Sequence, residues 1–159
     1  MIDLTATEPS APSAIHATAV AVGESGILIR GASGAGKSRL ALAVIDEAHR
    51  RGLFARLIGD DRVTLTFSGG RLLAHAHPSI AGLIEERGAG ILAVAHEASA
   101  VVRAVVDLAD ERSERSPRLP DAAEKSADIG GVPLPRLSLE PSRPASDAAV
   151  RVLAFLGNS

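Results

Sequence analysis

Eight residues, Gly31-Ala32-Ser33-Gly34-Ala35-Gly36-Lys37-Ser38, fit the pattern G-x-x-x-x-G-K-[ST] and constrain the fold more than any other stretch of this chain. Such a loop works after a strand and at the start of a helix. There, inward-turned backbone N–H groups and the positive end of the helix dipole meet a phosphate. Both flanks comply. Ile27 to Arg30 is an apolar run. From Lys37 to Arg51, residues Leu40, Ala41, Val44, Ile45 and Ala48 recur at three- and four-residue spacing before Gly52. The pattern predicts an α/β fold, a P-loop domain with a mixed central sheet and flanking helices. In that setting Gly31, Ala32, Ser33, Gly34, Ala35 and Gly36 line a phosphate cradle. Lys37 reaches the β/γ-phosphates of a nucleoside triphosphate, and Ser38 offers its hydroxyl to Mg²⁺.

Composition removes several other function classes. A chain of 159 residues, 46% apolar, has the size and the material for one core. A formal charge of −2 gives no broad footprint for nucleic acid, and three Phe with no Trp or Tyr leave almost no platform for stacking bases. Without Cys there is neither a disulfide framework nor a thiolate metal site. Asp3 and Glu8 stand where a secretory signal needs a basic start, and Gly23, Glu24, Arg30 and Gly36 interrupt apolar runs short of the roughly 20 residues a membrane helix requires. These features predict a cytoplasmic protein with no nucleic-acid or membrane partner, comprising a flexible leader over 1–13 and a single domain over 14–159.

The remaining chain reads as short strands punctuated by glycine. Ile15 to Val22 and Ile27 to Arg30 flank Gly23-Glu24-Ser25-Gly26 as a hairpin. Leu53 to Ile58 runs into Gly59-Asp60-Asp61, and Arg62 to Phe67 turns at Ser68-Gly69-Gly70 into Arg71 to Ala74. Ser79 to Arg87 is expected as a short helix broken by Gly88-Ala89-Gly90, with Ile91 to Val94 and Val101 to Leu108 as strands. Asp110 to Gly131, charged and interrupted by Pro and Gly, is expected as an exposed mobile loop carrying Arg112, Arg115 and Arg118. Pro133 to Leu139 follows as an edge strand, because prolines cannot donate to a ladder, and Ala145 to Leu156 as a closing helix.

Three further features bear on chemistry. Asp60-Asp61, at a strand end, fits a solvated turn, a metal pair, or a base beside a hydrogen-bonded neighbour, and the phosphate loop favours the functional readings. Glu85-Glu86-Arg87-Gly88 is compatible with an exposed helix end as well as with a site. His16 fits a packed or hydrogen-bonded histidine, and His75, His77 and His96 lack the spacing of metal ligands.

Taken together, the ordered set His16, Gly31–Ser38, Asp60-Asp61-Arg62-Val63 and Glu85-Glu86-Arg87-Gly88-Ala89-Gly90-Ile91 resembles the catalytic domain of HPr kinase/phosphorylase. The family phosphorylates a serine of the phosphocarrier protein HPr with ATP. The resemblance spans His16 to Val152 and thins after Leu108. It implies a P-loop-containing kinase domain using ATP and Mg²⁺, with Asp60 as the base that takes the serine proton. Lys37 and His16 would hold the phosphates, Ser38 and Glu85 the Mg²⁺, and Arg118 would stand in the place of the family's catalytic arginine. HPr or a paralogue is the implied protein substrate, and a homo-oligomer, hexameric in the family, the implied assembly. The match is to the short form of some Proteobacteria that lacks the N-terminal domain. The family's Val-x-x-Gly-Arg-Asn loop, associated with reverse phosphorolysis, is replaced here by Glu140-Pro141-Ser142-Arg143-Pro144, so the resemblance does not extend to the reverse reaction. A P-loop kinase of a small metabolite or nucleotide, or a non-catalytic nucleotide-binding sensor, would share the loop.

Overall fold

Apolar runs of four to eight residues between glycine turns become strands wherever both faces can be covered. The computed structural model describes residues 13–86, 88–109, 125–140 and 144–157. In chain order these form β1 (Ser13–Ile15), β2 (Thr18–Val22), β3 (Ser25–Arg30), α1 (Lys37–Arg50), β4 (Ala55–Gly59), β5 (Val63–Ser68) and β6 (Arg71–Ala76). A 3₁₀ turn (Pro78–Ile80) precedes β7 (Leu83–Glu86), β8 (Gly90–Ala93), β9 (Ser99–Leu108), β10 (Ser126–Ile129), β11 (Val132–Leu139) and α2 (Ala145–Gly157).

Nine strands make one mixed sheet in the order β1-β5-β6-β9-β3-β2-β4, with β11 also on β9 and β10 on β11. β3 and β11 run parallel to β9, and the other pairs are antiparallel. In β3, Ile27 and Ile29 belong to one core while Leu28 belongs to the other, and all three are fully buried. The loop after Arg30 therefore rises from a strand clamped on both faces. One core packs Leu40, Ala41, Val44 and Ala48 of α1 against Ala148, Ala149, Val152 and Leu153 of α2 and the sheet. Both helices thus share one face. The other face is closed by the curl of the sheet itself, where Val63, Leu65, Leu72 and Leu134 meet Leu28 and Val105.

The mixed sheet matches the expectation from sequence, and three segments differ from it. Ser79 to Arg87 is not a helix. Gly82 adopts φ +77°, and a Cβ there would stand 2.6 Å from His96 Nδ1, so the chain turns and continues extended. In β7 only Ile84 is deeply buried, while Leu83 and Glu85 face outward, and Glu86 pairs with Gly90 across the glycine turn. Arg87 lies outside the described residues.

Within the expected loop Asp110 to Gly131, Ser126–Ile129 is a strand joined to β11 by Gly130-Gly131, both at positive φ, as a two-residue hairpin demands. Residues 110–124, with Arg112, Arg115 and Arg118, lie outside the described residues, as do 1–12 of the expected leader; Ser13 itself pairs with Leu65. Finally, β11 is not a simple edge strand, because Val132–Pro135 pairs with β10 and Arg136–Leu139 with β9. The Arg136 amide donates to the Lys125 carbonyl, on the β10 side. Pro133 and Pro135, of opposite strand parity, lack donors only on the other side, ahead of the stretch that pairs with β9 from Arg136 onward.

The Gly130 turn gives a stability test. A Cβ built on Gly130 would fall 2.1 Å from Phe67 Cζ, and φ is +59°. We expect Gly130→Ala to lower the unfolding free energy by about 2 kcal/mol through overpacking and left-handed strain, read from denaturant melts.

Candidate active site

At the root of the glycine loop, the Arg30 guanidinium grips Asp107 of β9 with two hydrogen bonds of 2.8 Å, from Nε to Oδ1 and from Nη2 to Oδ2. Arg136 Nε donates to the same Oδ2. Burial pushes the Asp107 carboxyl up, but the hydrogen bonds from Arg30 and Arg136 and their charges outweigh it and hold it below the usual carboxylate range. A carboxyl depressed in the folded state stabilises fully above its unfolded pKa, near 3.9, and loses that contribution as pH falls through the lower folded value. Asp107→Ala leaves two guanidiniums facing each other. We expect a loss of about 2 kcal/mol at neutral pH, the low end for a broken ion pair because Arg30 keeps part of its surface in water. The difference from wild type should shrink below about pH 4 in urea melts repeated across pH.

The loop then turns through Gly34 at φ +81° and Gly36 at φ +99°, conformations that side-chain-bearing residues avoid. Gly36 caps α1 without a side chain, so no side-chain oxygen occupies the first amides of the helix. Lys37 folds back over the loop, and its Nζ donates to the carbonyls of Gly31 at 2.9 Å and Ala32 at 3.1 Å. Burial lowers the Lys37 pKa from its ordinary value, with the charges of Asp61 and Asp60 opposing that shift.

β4 delivers the two aspartates to the same place. Asp60 is 5% exposed, and its Oδ1 accepts from Ser38 Oγ at 2.6 Å and from Thr18 Oγ1 at 2.8 Å. Its Oδ2 accepts from the Glu85 amide at 3.1 Å. Asp61 is the one non-glycine at positive φ among the described residues, at 66°, across a tight turn in which the Arg62 amide donates to the Asp60 carbonyl. That turn sends the neighbouring side chains to different partners. Asp61 stays exposed and accepts from His16 Nε2 at 2.6 Å, whereas Asp60 is drawn inward.

A cavity of about 630 Å³ opens in front of this cluster and is lined by the loop residues 33–38, His16, Asp60, Asp61 and Glu85. The structure therefore gathers His16, Lys37, Ser38, Asp60 and Glu85 at one cavity. Arg118 lies outside the described residues. Glu86, within the Glu85–Gly88 stretch, lines the cavity too, as do Glu140, Pro144, Ala145 and Ala148, which sequence reasoning missed as site residues. Only the placement of α2 brings its first turn to the loop, and nothing local in the sequence signals that. Thr18, which opens β2 two residues after His16 in the bend between β1 and β2, was missed as well.

Residues 8–152 match the HPr Serine kinase C-terminal domain family. The chain belongs to this family. It is 31% identical to an HPr kinase/phosphorylase of Clostridium botulinum over 151 residues, covering 91% of this chain and 47% of the relative. It is 43% identical over 76 residues to the enzyme of the same name from Mycoplasma mycoides subsp. mycoides, covering 48% of this chain and 22% of that one. The structure of the Hpr(Ser) kinase/phosphatase from Coxiella burnetii superposes with a TM-score of 0.72 at 27% identity, covering 92% of this chain and 89% of that one. The chain thus spans about half, or less, of the length of these curated relatives. The fold is that of the family's kinase domain. Among the described residues no helix is long and apolar enough to cross a membrane.

Proposed function

We propose that the chain transfers the γ-phosphoryl group of ATP to a serine of HPr or a close paralogue, in the cytoplasm. The observation that carries this reading is the position of Asp60, a buried carboxylate hydrogen-bonded to the hydroxyl of the phosphate loop's own Ser38. A carboxylate so placed lies within reach of an acceptor that approaches a nucleotide on the loop. Family membership supports the same acceptor class.

In this reading the amides of Gly31 to Gly36 and the start of α1 hold the phosphates, and Lys37 exchanges its two loop carbonyls for phosphate oxygens. Asp60 takes the serine proton as the serine oxygen bonds to the γ-phosphorus. The bond from that phosphorus to the bridging oxygen breaks, and ADP departs with the electron pair. Asp61 and His16 are joined at the rim of the cavity, and in this reading Asp60 is assigned the role of base, with Asp61 as the alternative. Ser38 and Glu85 offer hard oxygen ligands of the kind Mg²⁺ prefers, and the ion would neutralise charge on the β- and γ-phosphates. Arg118 would do the same for the transferring group. Exposed Ile91 and Leu83 on the β7–β8 hairpin offer apolar surface for a homo-oligomer.

A metabolite kinase or a nucleotide sensor would share the loop. Incubation with MgATP and a panel of sugars, nucleosides and HPr proteins separates the three readings. ADP formation should depend on HPr alone. Turnover with a small acceptor, or binding without transfer, would overturn the proposal.

A further inference from the structure

Arg30 is the last residue of β3 and the last before the phosphate loop. On the β2 side the ladder stops one residue earlier, at the pair of Thr18 with Ile29, so at Arg30 only β9 runs alongside, through the pair of Arg30 with Asp107. The stem of the loop is therefore laddered on one side only. Arg30 reinforces that side with its own side chain, in the two-pronged grip on Asp107 that fixes direction as well as distance.

The next residue leaves no slack against the same strand. A Cβ on Gly31 would stand 3.2 Å from Leu108 Cβ and 3.3 Å from the Leu108 carbonyl oxygen, so Gly31 is wedged against the residue that follows Asp107. The carbonyls of Gly31 and Ala32 in turn hold Lys37 Nζ. A shift at Arg30 thus passes within two residues to the ammonium that meets the phosphates. Along their strands Arg30, Asp107 and Arg136 share faces with Leu28, Val105 and Leu134, in the core away from both helices, and all three lie off the cavity wall. Their influence on a nucleotide seated there is indirect. Arg136 donates to the same Asp107 Oδ2 as Arg30 does, but it belongs to β11, which adjoins β9 and does not lead into the loop.

We infer that Arg30 is a positioning residue for nucleotide binding: its grip on Asp107 fixes the stem of the phosphate loop, and with it the loop carbonyls that aim Lys37. This rests on the reading of Gly31–Ser38 as the phosphate grip and is independent of which group serves as the base. Without the grip β3 still pairs with β9, but the stem samples more positions. Bound phosphates must then order it, and that ordering cost appears as weaker binding.

The test compares Arg30→Met with Arg136→Met in the full chain, with Lys37→Ala as the reference for a damaged phosphate grip. It measures the Kd of MgATP by calorimetry, kcat and KM with HPr, and the midpoint of urea unfolding. Methionine keeps an apolar stem and removes the donors. Both Met variants should unfold at lower urea than wild type, since each leaves Asp107 one guanidinium fewer. Only Arg30→Met should bind MgATP more weakly, by about five- to thirtyfold, the scale on which a remote contact couples to a site. Its KM for MgATP should rise with the Kd while kcat at saturation changes little, as for a loss of uniform binding. Arg136→Met should stay within about twofold of the wild-type Kd, because the stem keeps both bonds from Arg30. Wild-type affinity in Arg30→Met, or equal weakening in both Met variants, makes the cluster a stability element and overturns the inference. Should Arg30→Met not fold, Arg30→Lys, which keeps one charged donor for Asp107, takes its place: a weakening of about threefold is expected, and wild-type affinity overturns the inference. If Lys37→Ala binds MgATP as tightly as wild type, the reading of the phosphate loop falls, and this inference with it.

Discussion

Asp60→Asn is expected to reduce phosphoryl transfer to HPr by about 10²–10⁴-fold, the usual cost of removing a general base, while the affinity for MgATP changes little. The substitution keeps the shape of the side chain and leaves an acceptor oxygen for Thr18 and Ser38, so the hydrogen-bonded frame around position 60 survives. The amide nitrogen then faces the Glu85 N–H or the acceptor, and neither arrangement offers a basic oxygen at Oδ2. Binding is set elsewhere, by the loop amides and Lys37. Asp61→Asn frees His16 and is expected to do far less to the rate than Asp60→Asn. If the Asp60 variant lost nucleotide binding yet transferred normally at saturating MgATP, Asp60 would be a metal or structural residue and Asp61 the better base.

Lys37→Ala should lower kcat with MgATP by about 10²–10³-fold, the scale on which a preorganised donor acts on developing charge. Nucleotide affinity should fall too, because the same ammonium holds the β/γ-phosphates in the ground state. The buried Lys37 now donates to two loop carbonyls, and removing it also leaves those acceptors unpaired. A melting temperature measured beside the kinetics separates this cost from catalysis. Lys37→Met, which retains the apolar stem, should match Lys37→Ala in rate and exceed it in stability. Full turnover in both variants would remove Lys37 from the site.

The parts of this fold that were legible in sequence are those with local causes. The strand–loop–helix at 27–51 follows from one apolar run, a glycine pattern and a clean helical period, and β3 and α1 lie where that pattern put them. The β7 segment illustrates the opposite case. Ile80, Leu83 and Ile84 satisfy helical spacing, but Ile84 alone is deeply buried, and the contact between Gly82 and His96, distant in sequence, decides for a turn and a strand. Likewise β10 exists because β11 pairs with it, and four polar and apolar residues after a charged stretch give little sign of that.

The candidate site follows the same division. Lys37 and Ser38 were legible from the phosphate-loop motif and Asp60 from its place at a strand end beside that loop, whereas His16 and Glu85 entered only through the resemblance to the family. The Arg30–Asp107–Arg136 cluster, the cavity wall from α2 and the Thr18–Asp60 bond depend on strand order, which no short window of sequence contains. Glu85 joins the group through its backbone amide on Asp60 as well as by its side chain on the cavity wall, a link that residue type does not predict.

The most direct measurement is mass spectrometry of HPr after incubation with the purified chain and MgATP. The account predicts the mass of one phosphoryl group on a single serine of HPr, absent with Asp60→Asn and absent when that serine is replaced by alanine. Unmodified HPr in the presence of tightly bound, unconsumed ATP, or a phosphoryl group on another residue type, would contradict it.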